Sequence, residues 1–442
     1  MSAHENQPDP MDNVVDYGSA AEYRAAREDL GAHVRTVGGK LIRSKSGDAK
    51  PLFDNVVRVL ELDRRFKAHL RYNTLAAAIE WRRGETWAEV DEINEGEVIS
   101  TIERSYEFAA STHAMRALLT VSNREQYNPV RDYLEALTWD GVPRIDEWLS
   151  TYYACEAGLD PLLTRKGVCF LVSAVKRAYE PGCKVDAMLT IRGLQGGGKS
   201  TGILALAGRE YFSDTDIALG HHQDKYQALD GVWIYEIAEG ASLNKSEART
   251  IKSFTTSACD AYRGSYGRSK KKRPRQVVFV ITTNDQEFLR DTTGNRRYHV
   301  VESGGAIDVE GIARDRDQIW AEAVARYREG YQHWFTAEEN AHLEDQNDRY
   351  LSIDPWAPAI ARWVHSRRAP FQLGMILDML EIDPAHQTRQ ASNRARDVCE
   401  WLGCTKGAKT RRRYCEISRE LLGNKPLVEW LPPGFQQDQG VI

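Results

Sequence analysis

Eight consecutive residues near the middle of the chain combine the groups that a polyphosphate requires. Residues 193–200 read Gly-Leu-Gln-Gly-Gly-Gly-Lys-Ser, which matches the spacing G-x-x-x-x-G-K-S. Glycines leave a run of backbone N–H groups open to phosphate oxygens, and a helix that starts directly after them adds the positive end of its dipole. Lys199 would contact the β- and γ-phosphates, and the Ser200 hydroxyl would join the coordination shell of Mg²⁺. A glycine-rich turn without a ligand is the alternative. We predict ATP and Mg²⁺ as cofactors, bound by Gly193, Gly196, Gly197, Gly198, Lys199, Ser200 and Thr201.

A second apolar run, residues 232–239, carries the carboxylates Glu236 and Glu239 at its carboxyl end. In a parallel sheet this edge faces the bound phosphates. One carboxylate can hold the Mg²⁺ shell, together with Ser200, and the other can polarise the attacking water. We assign Glu236 to the metal and Glu239 to the water. The reverse assignment stays open because Ile237 stands where an adjacent second acid is usual, and a strand ending in solvated glutamates is the alternative.

Two further polar groups have the spacing to act on the γ-phosphate. Asn284 follows the apolar run 277–283, where an amide can lie between the γ-phosphate and the catalytic water; a simple turn is the alternative. Arg296 and Arg297 precede a further strand. A guanidinium supplied by a neighbouring subunit would stabilise the charge that grows in the transition state, whereas solvated surface arginines are the alternative.

A strongly basic segment lies between these motifs. Residues 263–275 contain seven basic side chains and no acidic one, and Tyr262 and Tyr266 are interleaved with them. Cations follow a phosphate backbone while aromatic rings stack on exposed bases, so the segment predicts a loop or hairpin that binds single-stranded nucleic acid. A solvated charge run is the alternative. The predicted DNA-binding residues are Arg263, Tyr266, Arg268, Lys270, Lys271 and Lys272.

Composition limits the class of protein. The 442 residues allow two to four domains, and a formal net charge of -5 means that any contact with nucleic acid must come from a local patch. No window reaches the roughly twenty apolar residues of a membrane span, and the polar start lacks an apolar signal core. We therefore predict a cytoplasmic protein without a membrane partner. Seven cysteines without a C-x-x-C pair indicate buried thiols rather than disulfides or a zinc ribbon.

The elements that must position these groups alternate between strand-like and helical runs. The pattern predicts an α/β fold with a largely parallel sheet over residues 161–350. Residues 1–50 resemble a flexible leader, residues 51–160 show apolar spacing typical of a mostly α-helical N-terminal domain, and residues 354–442 indicate a small helical C-terminal domain, for which a winged-helix DNA-binding module is one form. His221, His222 and His299 are interpreted as structural.

The order of the motifs resembles the virulence-associated E (VapE/VirE) family. The motifs are residues 193–200, 233–239, 260–263 with 266–268, 282–284 and 294–297, and the upstream segments 127–134 (Tyr-Asn-Pro-Val-Arg-Asp-Tyr-Leu) and 139–144 (Trp-Asp-Gly-Val-Pro-Arg) extend the resemblance. That family belongs with the superfamily-three-like, poxvirus-type primase-helicase ATPases. The resemblance implies an AAA+-type P-loop core, a hexameric ring and a role in the replication of phages and mobile elements.

Carried onto this chain, the resemblance implies an ATPase that is a DNA helicase or translocase. It makes Glu236 and Glu239 the acidic strand end, Asn284 the sensor, Arg296 or Arg297 the arginine finger, and residues 263–272 a pore hairpin for single-stranded or forked DNA. The N-terminal part is too short for a primase module, so a separate primase is a predicted partner. Two other functions stay open: a DNA-stimulated ATPase switch that loads or regulates other proteins without unwinding, and a P-loop kinase.

Overall fold

Two compact units make up the chain in the computed structural model, one from residues 1–285 and 296–346 and the other from residues 286–295 and 347–442. The structure describes residues 20–215, 224–238, 245–262, 271–289, 294–352, 354–367, 369–410 and 427–431. Helices and a parallel sheet together give a mixed α/β fold, as the sequence predicts. Each unit has its own apolar core.

The first part of the larger unit combines helices with a small sheet. Its elements are α1 (Ala20–Gly38), α2 (Phe53–Leu62), β1 (Leu70–Asn73), β2 (Ala78–Arg83), β3 (Thr86–Glu89), α3 (Glu92–Tyr106), α4 (Ala114–Ser122) and β4 (Gln126–Tyr127). The sheet order is β3-β2-β1-β4, antiparallel except for the parallel pair β1 and β4.

Two details of this part differ from the sequence prediction. The second half of the predicted leader is ordered, because α1 occupies Ala20–Gly38 and Val37 and Leu41 are buried in the apolar core below it. Helices dominate residues 51–160, but the spacing of Ile79 and Trp81 is the period of two of strand β2 rather than a helical period.

The second part of the larger unit is built around the central sheet. Its elements are α5 (Pro129–Ala136), α6 (Trp148–Tyr153), α7 (Leu163–Tyr179), β5 (Met188–Arg192), α8 (Lys199–Ala207), β6 (Phe212–Ser213), α9 (Asp224–Gln227), β7 (Ile234–Ile237), α10 (Lys245–Thr255), β8 (Cys259–Tyr262), β9 (Lys271–Pro274), β10 (Val278–Thr283), β11 (Tyr298–Glu302), α11 (Val309–Arg328) and α12 (Ala337–Asn347).

The central sheet has five parallel strands in the order β11-β5-β10-β7-β6. Strand β10 is buried along its whole length, as expected where a parallel sheet is covered on both faces. Helices α7 and α11 supply much of the cover, and Trp233 next to β7 packs on Trp320 of α11 with ring centroids 4.2 Å apart. Because all five strands run the same way, the segments that follow them gather at one edge.

The turn at residues 139–144 is fastened to α11. Glu322 is fully buried, and its Oε2 accepts hydrogen bonds from the backbone N–H groups of Arg144 at 2.5 Å and Ile145 at 3.0 Å. The Arg144 side chain returns to Asp140 at 2.7 Å. This upstream motif therefore positions α6 against the central core.

The second unit contains α13 (Ala357–His365), α14 (Leu373–Met379), α15 (Arg389–Trp401), β12 (Thr405–Thr410) and β13 (Leu427–Leu431). The three helices agree with the sequence prediction. The predicted helical domain also contains a strand pair, because Lys409 lies in β12, which pairs antiparallel with β13. Side chains of the three helices form the core of this unit.

Gly167 of α7 tests the packing of α6 on the central core. A Cβ at this position would lie 2.4 Å from Trp148 Nε1 and 2.9 Å from Leu149 Cδ1. Alanine in a helix interior is ordinarily favoured over glycine by about 1 kcal/mol. We expect the clash to outweigh this gain, so that Gly167→Ala lowers the free energy of unfolding by about 1–3 kcal/mol in urea titrations.

The matched control is Gly158→Ala, where an added Cβ meets nothing within 4 Å. Its free energy of unfolding should stay within about 0.5 kcal/mol of the wild-type value. Equal stability of Gly167→Ala and the wild type would mean that α6 does not pack on α7 as described.

Candidate functional site

The loop at residues 193–198 joins β5 to α8 at the carboxyl edge of the central sheet. Gly196 and Gly198 have φ angles of +75° and +90°, a left-handed conformation that glycine adopts without the penalty of a Cβ. Lys199 is the first residue of α8, so the free N–H groups of the first helical turn open toward the loop. The backbone of this loop therefore has the conformation that the sequence motif predicts for a phosphate-binding loop.

Lys199 lies at the centre of this edge, with its side chain largely buried. Its Nζ donates to the carbonyl oxygens of Gly193 at 3.0 Å and Leu194 at 2.7 Å, and to Asn284 Oδ1 at 2.9 Å. Burial lowers the pKa of Lys199, while the nearby carboxylate of Glu236 acts in the opposite direction. The loop, the lysine and the end of β10 are thereby tied together.

Glu236 on β7 is only 1% exposed. Its Oε1 accepts hydrogen bonds from Ser200 Oγ at 2.6 Å and from Thr282 Oγ1. Its Oε2 is buried and has no hydrogen-bond partner among the residues that the structure describes. Burying a carboxylate oxygen without a hydrogen-bond partner costs free energy. A bound ligand that contacts Oε2 would remove this cost.

The donor set beside the loop suits a hard cation. A serine hydroxyl and a carboxylate oxygen are the oxygen ligands that Mg²⁺ prefers, with waters and phosphate oxygens completing its shell. Within the described ranges no cluster of three or more His, Cys, Asp or Glu side chains could hold a metal by itself. Ser200 and Glu236 therefore fit a metal that arrives with a phosphate ligand, rather than a closed protein site.

Four of the predicted site residues meet at this edge: Lys199, Ser200, Glu236 and Asn284. Thr201 follows on α8 with an exposed side chain. Glu239 lies outside the described residues, so its predicted role stays a prediction. Thr282 was not predicted as part of the site. The signal for it was present, because polar residues at the carboxyl end of the apolar strand β10 reach the same edge as Glu236.

Tyr153 of α6 is a second residue that the sequence did not reveal. Its hydroxyl is buried without a hydrogen-bond partner in the described part of the chain, and a Cβ at Gly202 of α8 would lie 2.6 Å from it. Burial, with a smaller contribution from the charge of Glu236, raises the pKa of Tyr153 well above its ordinary value. Tyr153 is therefore a neutral support beneath the first turns of α8.

Arg296 and Arg297 lie at the opposite edge of the sheet. They directly precede β11, which runs parallel to β5 with Tyr298 opposite Met188 and Glu302 opposite Arg192. The loop begins after Arg192, four residues further along, which is about 13 Å of strand. The Arg296 side chain is exposed. The structure does not bring either arginine to the phosphate loop of its own chain.

The basic segment begins and ends on an antiparallel hairpin. Strands β8 and β9 pair from Cys259 opposite Pro274 to Tyr262 opposite Lys271, and residues 263–270 outside the described part connect them. Four of the predicted DNA-binding residues, Arg263, Tyr266, Arg268 and Lys270, therefore lie outside the described residues, and of Lys271 only the backbone is described. The Lys272 side chain is exposed.

Three members of the basic and aromatic pattern are structural. Arg275 is buried and bonds with its guanidinium to Asp260, with Nε 2.9 Å from Oδ2. Tyr262 is 2% exposed and donates its hydroxyl to Asp230, so it is not available to stack on bases as the sequence predicted. Arg273 lies over the Tyr262 ring, 4.9 Å from its centroid, and 3.5 Å from Asp230.

The geometry defines a mixed α/β protein with a glycine-rich loop at the carboxyl edge of a parallel sheet. Residues 134–352 match the model of the virulence-associated protein E-like domain. The match agrees with the resemblance that the order of the motifs predicts. No curated protein matches the sequence significantly.

Among solved structures, the apo form of the NrS-1 C-terminal region is similar at 11% identity and a TM-score of 0.42, covering 82% of this chain and 95% of that one. A second apo structure of the same region shares 10% identity, also at a TM-score of 0.42, and covers 82% and 96%. The likeness is distant. Within the described ranges, no helix combines the length and apolarity of a membrane span.

His299 is buried in β11 and packs on Phe335, with ring centroids 4.2 Å apart. Burial, reinforced by Lys166 and Arg165, lowers its pKa from 6.5 to about 3. Below pH 6.5 the His299 side chain therefore binds a proton in the unfolded chain but stays neutral in the folded chain. We expect the free energy of unfolding to fall as the pH decreases from 6.5 toward 3, by up to about 1.4 kcal/mol per pH unit from this residue.

Urea titrations between pH 5 and pH 7 measure the effect, because few carboxylates titrate in that window. His299→Gln should reduce the pH dependence, and His333, whose pKa burial also lowers, should supply a remaining part. His386→Gln, which removes an exposed histidine, should leave the pH dependence unchanged. The same slope in His299→Gln as in the wild type would show that another group takes up the proton.

Proposed function

We propose that this chain is an ATP-dependent DNA helicase or translocase that serves the replication of phages or mobile elements. The observation that carries the proposal is the meeting of Lys199, Ser200, Glu236 and Asn284 at one edge of the sheet. Phosphate binding, metal binding and water positioning need these four side chains within reach of one another. The proposed ATPase core is of the AAA+ type and spans residues 161–350.

Each residue has a proposed role in hydrolysis. The N–H groups of residues 196–200 hold the phosphates, and Lys199 exchanges its carbonyl partners for β- and γ-phosphate oxygens. Ser200 and Glu236 would hold Mg²⁺, which when bound would supply positive charge next to the phosphates. Asn284, released from Lys199, orients the attacking water as the sensor residue. Glu239 is the proposed general base, because it follows the same strand as Glu236.

The register of β11 supports an arginine supplied in trans. Within one chain, Arg296 and Arg297 are separated from the phosphate loop by the length of β5, about 13 Å, whereas a transition-state contact needs hydrogen-bond distance. A neighbouring protomer in a ring removes this separation. We therefore propose a homo-oligomeric ring, with the hexamer as the form implied by the family, in which each interface completes one ATP site.

The proposed DNA contact is the tip of the β8–β9 hairpin, whose connection carries Arg263, Arg268 and Lys270. The hairpin leads directly into β10, the strand that precedes Asn284. A winged-helix DNA-binding role for residues 354–442 is a further proposal, supported by three helices followed by the pair β12 and β13. A separate primase is the proposed protein partner.

Complementation between inactive variants tests the shared site. Lys199→Ala should abolish ATP turnover, and Arg296→Ala combined with Arg297→Ala should reduce it at least about 100-fold while nucleotide binding persists. A mixture of the two proteins forms some interfaces with an intact loop on one side and intact arginines on the other. We expect the mixture to regain up to about a quarter of wild-type turnover, measured as phosphate release.

Arg209→Ala, which removes another exposed arginine of the same unit, serves as the control and should hydrolyse ATP normally. An arginine acting within its own chain would leave the mixture as inactive as the two variants alone. Arginines with no catalytic role would leave the Arg296→Ala, Arg297→Ala protein itself active. Particle mass in the presence of an ATP analogue reports ring formation separately from turnover.

Neutralising Lys270, Lys271 and Lys272 to alanine tests the hairpin. Each lost phosphate contact should reduce the slope of log affinity against log salt by about 0.7 for a single strand. The affinity for labelled single-stranded DNA, measured by fluorescence anisotropy, should therefore fall, and stimulation of ATP turnover by DNA should fall with it. Unchanged affinity and salt slope would exclude the hairpin as a DNA contact.

The same preparations separate the competing functions. Stimulation of ATP turnover by single-stranded DNA would exclude a kinase that phosphorylates a small molecule. A strand-displacement assay on forked DNA then distinguishes a helicase from an ATPase switch, because only the helicase releases the labelled strand.

A further inference from the structure

A cavity of about 760 Å³ opens beneath the β8–β9 hairpin, far from the phosphate loop. One wall is the hairpin stem, a second comes from β1, β4 and the start of α5, and a third comes from residues 226–232 ahead of β7. Val232 and Val277, which precede β7 and β10, place the cavity at the amino edge of the central sheet. Its volume is within the range of ligand-binding pockets.

The walls are held together by polar contacts rather than by loose packing. Gln276 donates to the carbonyl oxygen of Thr74 at 2.8 Å, and the N–H of Gly231 donates to the carbonyl oxygen of Leu75 at 3.1 Å. Asn128 of the second wall donates to Gln276 at 2.5 Å. These bonds join the first part of the unit to the base of the hairpin, so the cavity is a built feature of the fold.

The lining offers aromatic rings for stacking, and its four cationic side chains are matched by four carboxylates. Tyr72, Tyr127 and Tyr226 contribute partly exposed rings, and Lys272 is exposed beside them. Three of the four carboxylates on the lining are held by neighbours. Arg131 bonds to Glu135 at 2.8 Å, Arg275 bonds to Asp260, and Tyr262 and Arg273 hold Asp230. Asp132 is the fourth and is exposed.

We propose that this cavity receives unstacked nucleotides of a single DNA strand that runs along the hairpin. The proposal rests on the proposed function and adds a second contact to it. Aromatic rings accept any base, and one cation beside them can meet the backbone, which is the pattern of binding without sequence preference. A double helix is too wide to enter a cavity of this size, because its major groove alone is about 12 Å across.

The position of Asp230 connects this cavity to the ATP site. Asp230 stands shortly before β7, whose third residue is Glu236, and it holds Tyr262 and Arg273 of the hairpin stem. A DNA strand in the cavity would therefore touch the segment that leads into β7, the strand that carries the carboxylate beside Ser200. DNA in this cavity would have a direct structural route to the hydrolysis site through β7.

The test combines crosslinking with a variant that fills the cavity. Oligo(dT) carrying 5-iododeoxyuridine is irradiated with the full-length protein, and adducts on Tyr72, Tyr127 or Tyr226 are expected by mass spectrometry. Gln126 is exposed on the lining, and among the described residues its side chain bonds to Asn123. Gln126→Trp should weaken oligo(dT) affinity about tenfold while basal ATP turnover stays unchanged.

Two controls keep the result interpretable. Thr86→Trp adds the same ring to an exposed position of β3 away from the lining and should bind oligo(dT) normally. Tyr226→Leu removes one ring without adding bulk and should also weaken binding. A loss of affinity in both lining variants, together with the adducts, supports the cavity.

Three outcomes would overturn the proposal. Adducts confined to residues 263–271 with normal affinity of both lining variants would mean that DNA follows the hairpin tip alone, and the proposed function would stand. A drop in particle mass of Gln126→Trp with unchanged DNA affinity would assign the cavity to a neighbouring copy of the chain. No DNA affinity in the wild-type protein would refute the proposed function itself.

Discussion

The carboxylate of Glu236 is the constraint on which the candidate site depends. It is buried at the end of β7, where one oxygen accepts hydrogen bonds from the helix after the phosphate loop and from the end of β10. These two partners, Ser200 and Thr282, come from segments about eighty residues apart in sequence. A buried charge of this kind persists only when its surroundings supply donors, so the three elements must keep a fixed register.

The parallel sheet separates the candidate ATP site from the proposed contacts with DNA and with a neighbouring protomer. The phosphate loop and its four convergent side chains lie at the carboxyl edge, whereas the hairpin, the cavity below it and the arginine pair lie at the amino edge. Strands β7 and β10 connect the two edges directly. Rigid strands with hydrogen bonds on both sides transmit displacement better than loops do, which makes this architecture suitable for coupling hydrolysis to movement on a strand.

The sequence predicts the parts of the site whose chemistry is local. The phosphate loop is encoded in consecutive residues, and Asn284 and Glu236 follow apolar runs that can be read as strands. For Thr282 the sequence gives only the polar end of the apolar run, and its contact with Glu236 follows from the register between β7 and β10. The sequence did not predict Tyr153 next to the site for a similar reason, because only the packing of α6 beneath α8 brings its hydroxyl near Gly202.

The basic segment shows the limit of reading charge from sequence. Arg275 and Tyr262 look like members of a nucleic-acid surface, yet one is buried against Asp260 and the other against Asp230. Burial depends on the partner that the hairpin meets in the fold. The small sheet of β1 to β3 was missed because Leu75, Ile79 and Trp81 fit both a helical and an alternating spacing, and only pairing with neighbouring strands decides between them.

The distance between Arg296 and the phosphate loop of the same chain has a consequence for a cell that makes this protein. Under the proposed mechanism, a lone copy holds its ATP-binding loop after β5 and its arginine pair before the neighbouring strand β11, and it cannot bring the two together. Under the proposed mechanism, turnover would then rise more steeply than in proportion to the number of copies present. A low concentration of the protein would then be enough to keep its ATP turnover low, without any inhibitor.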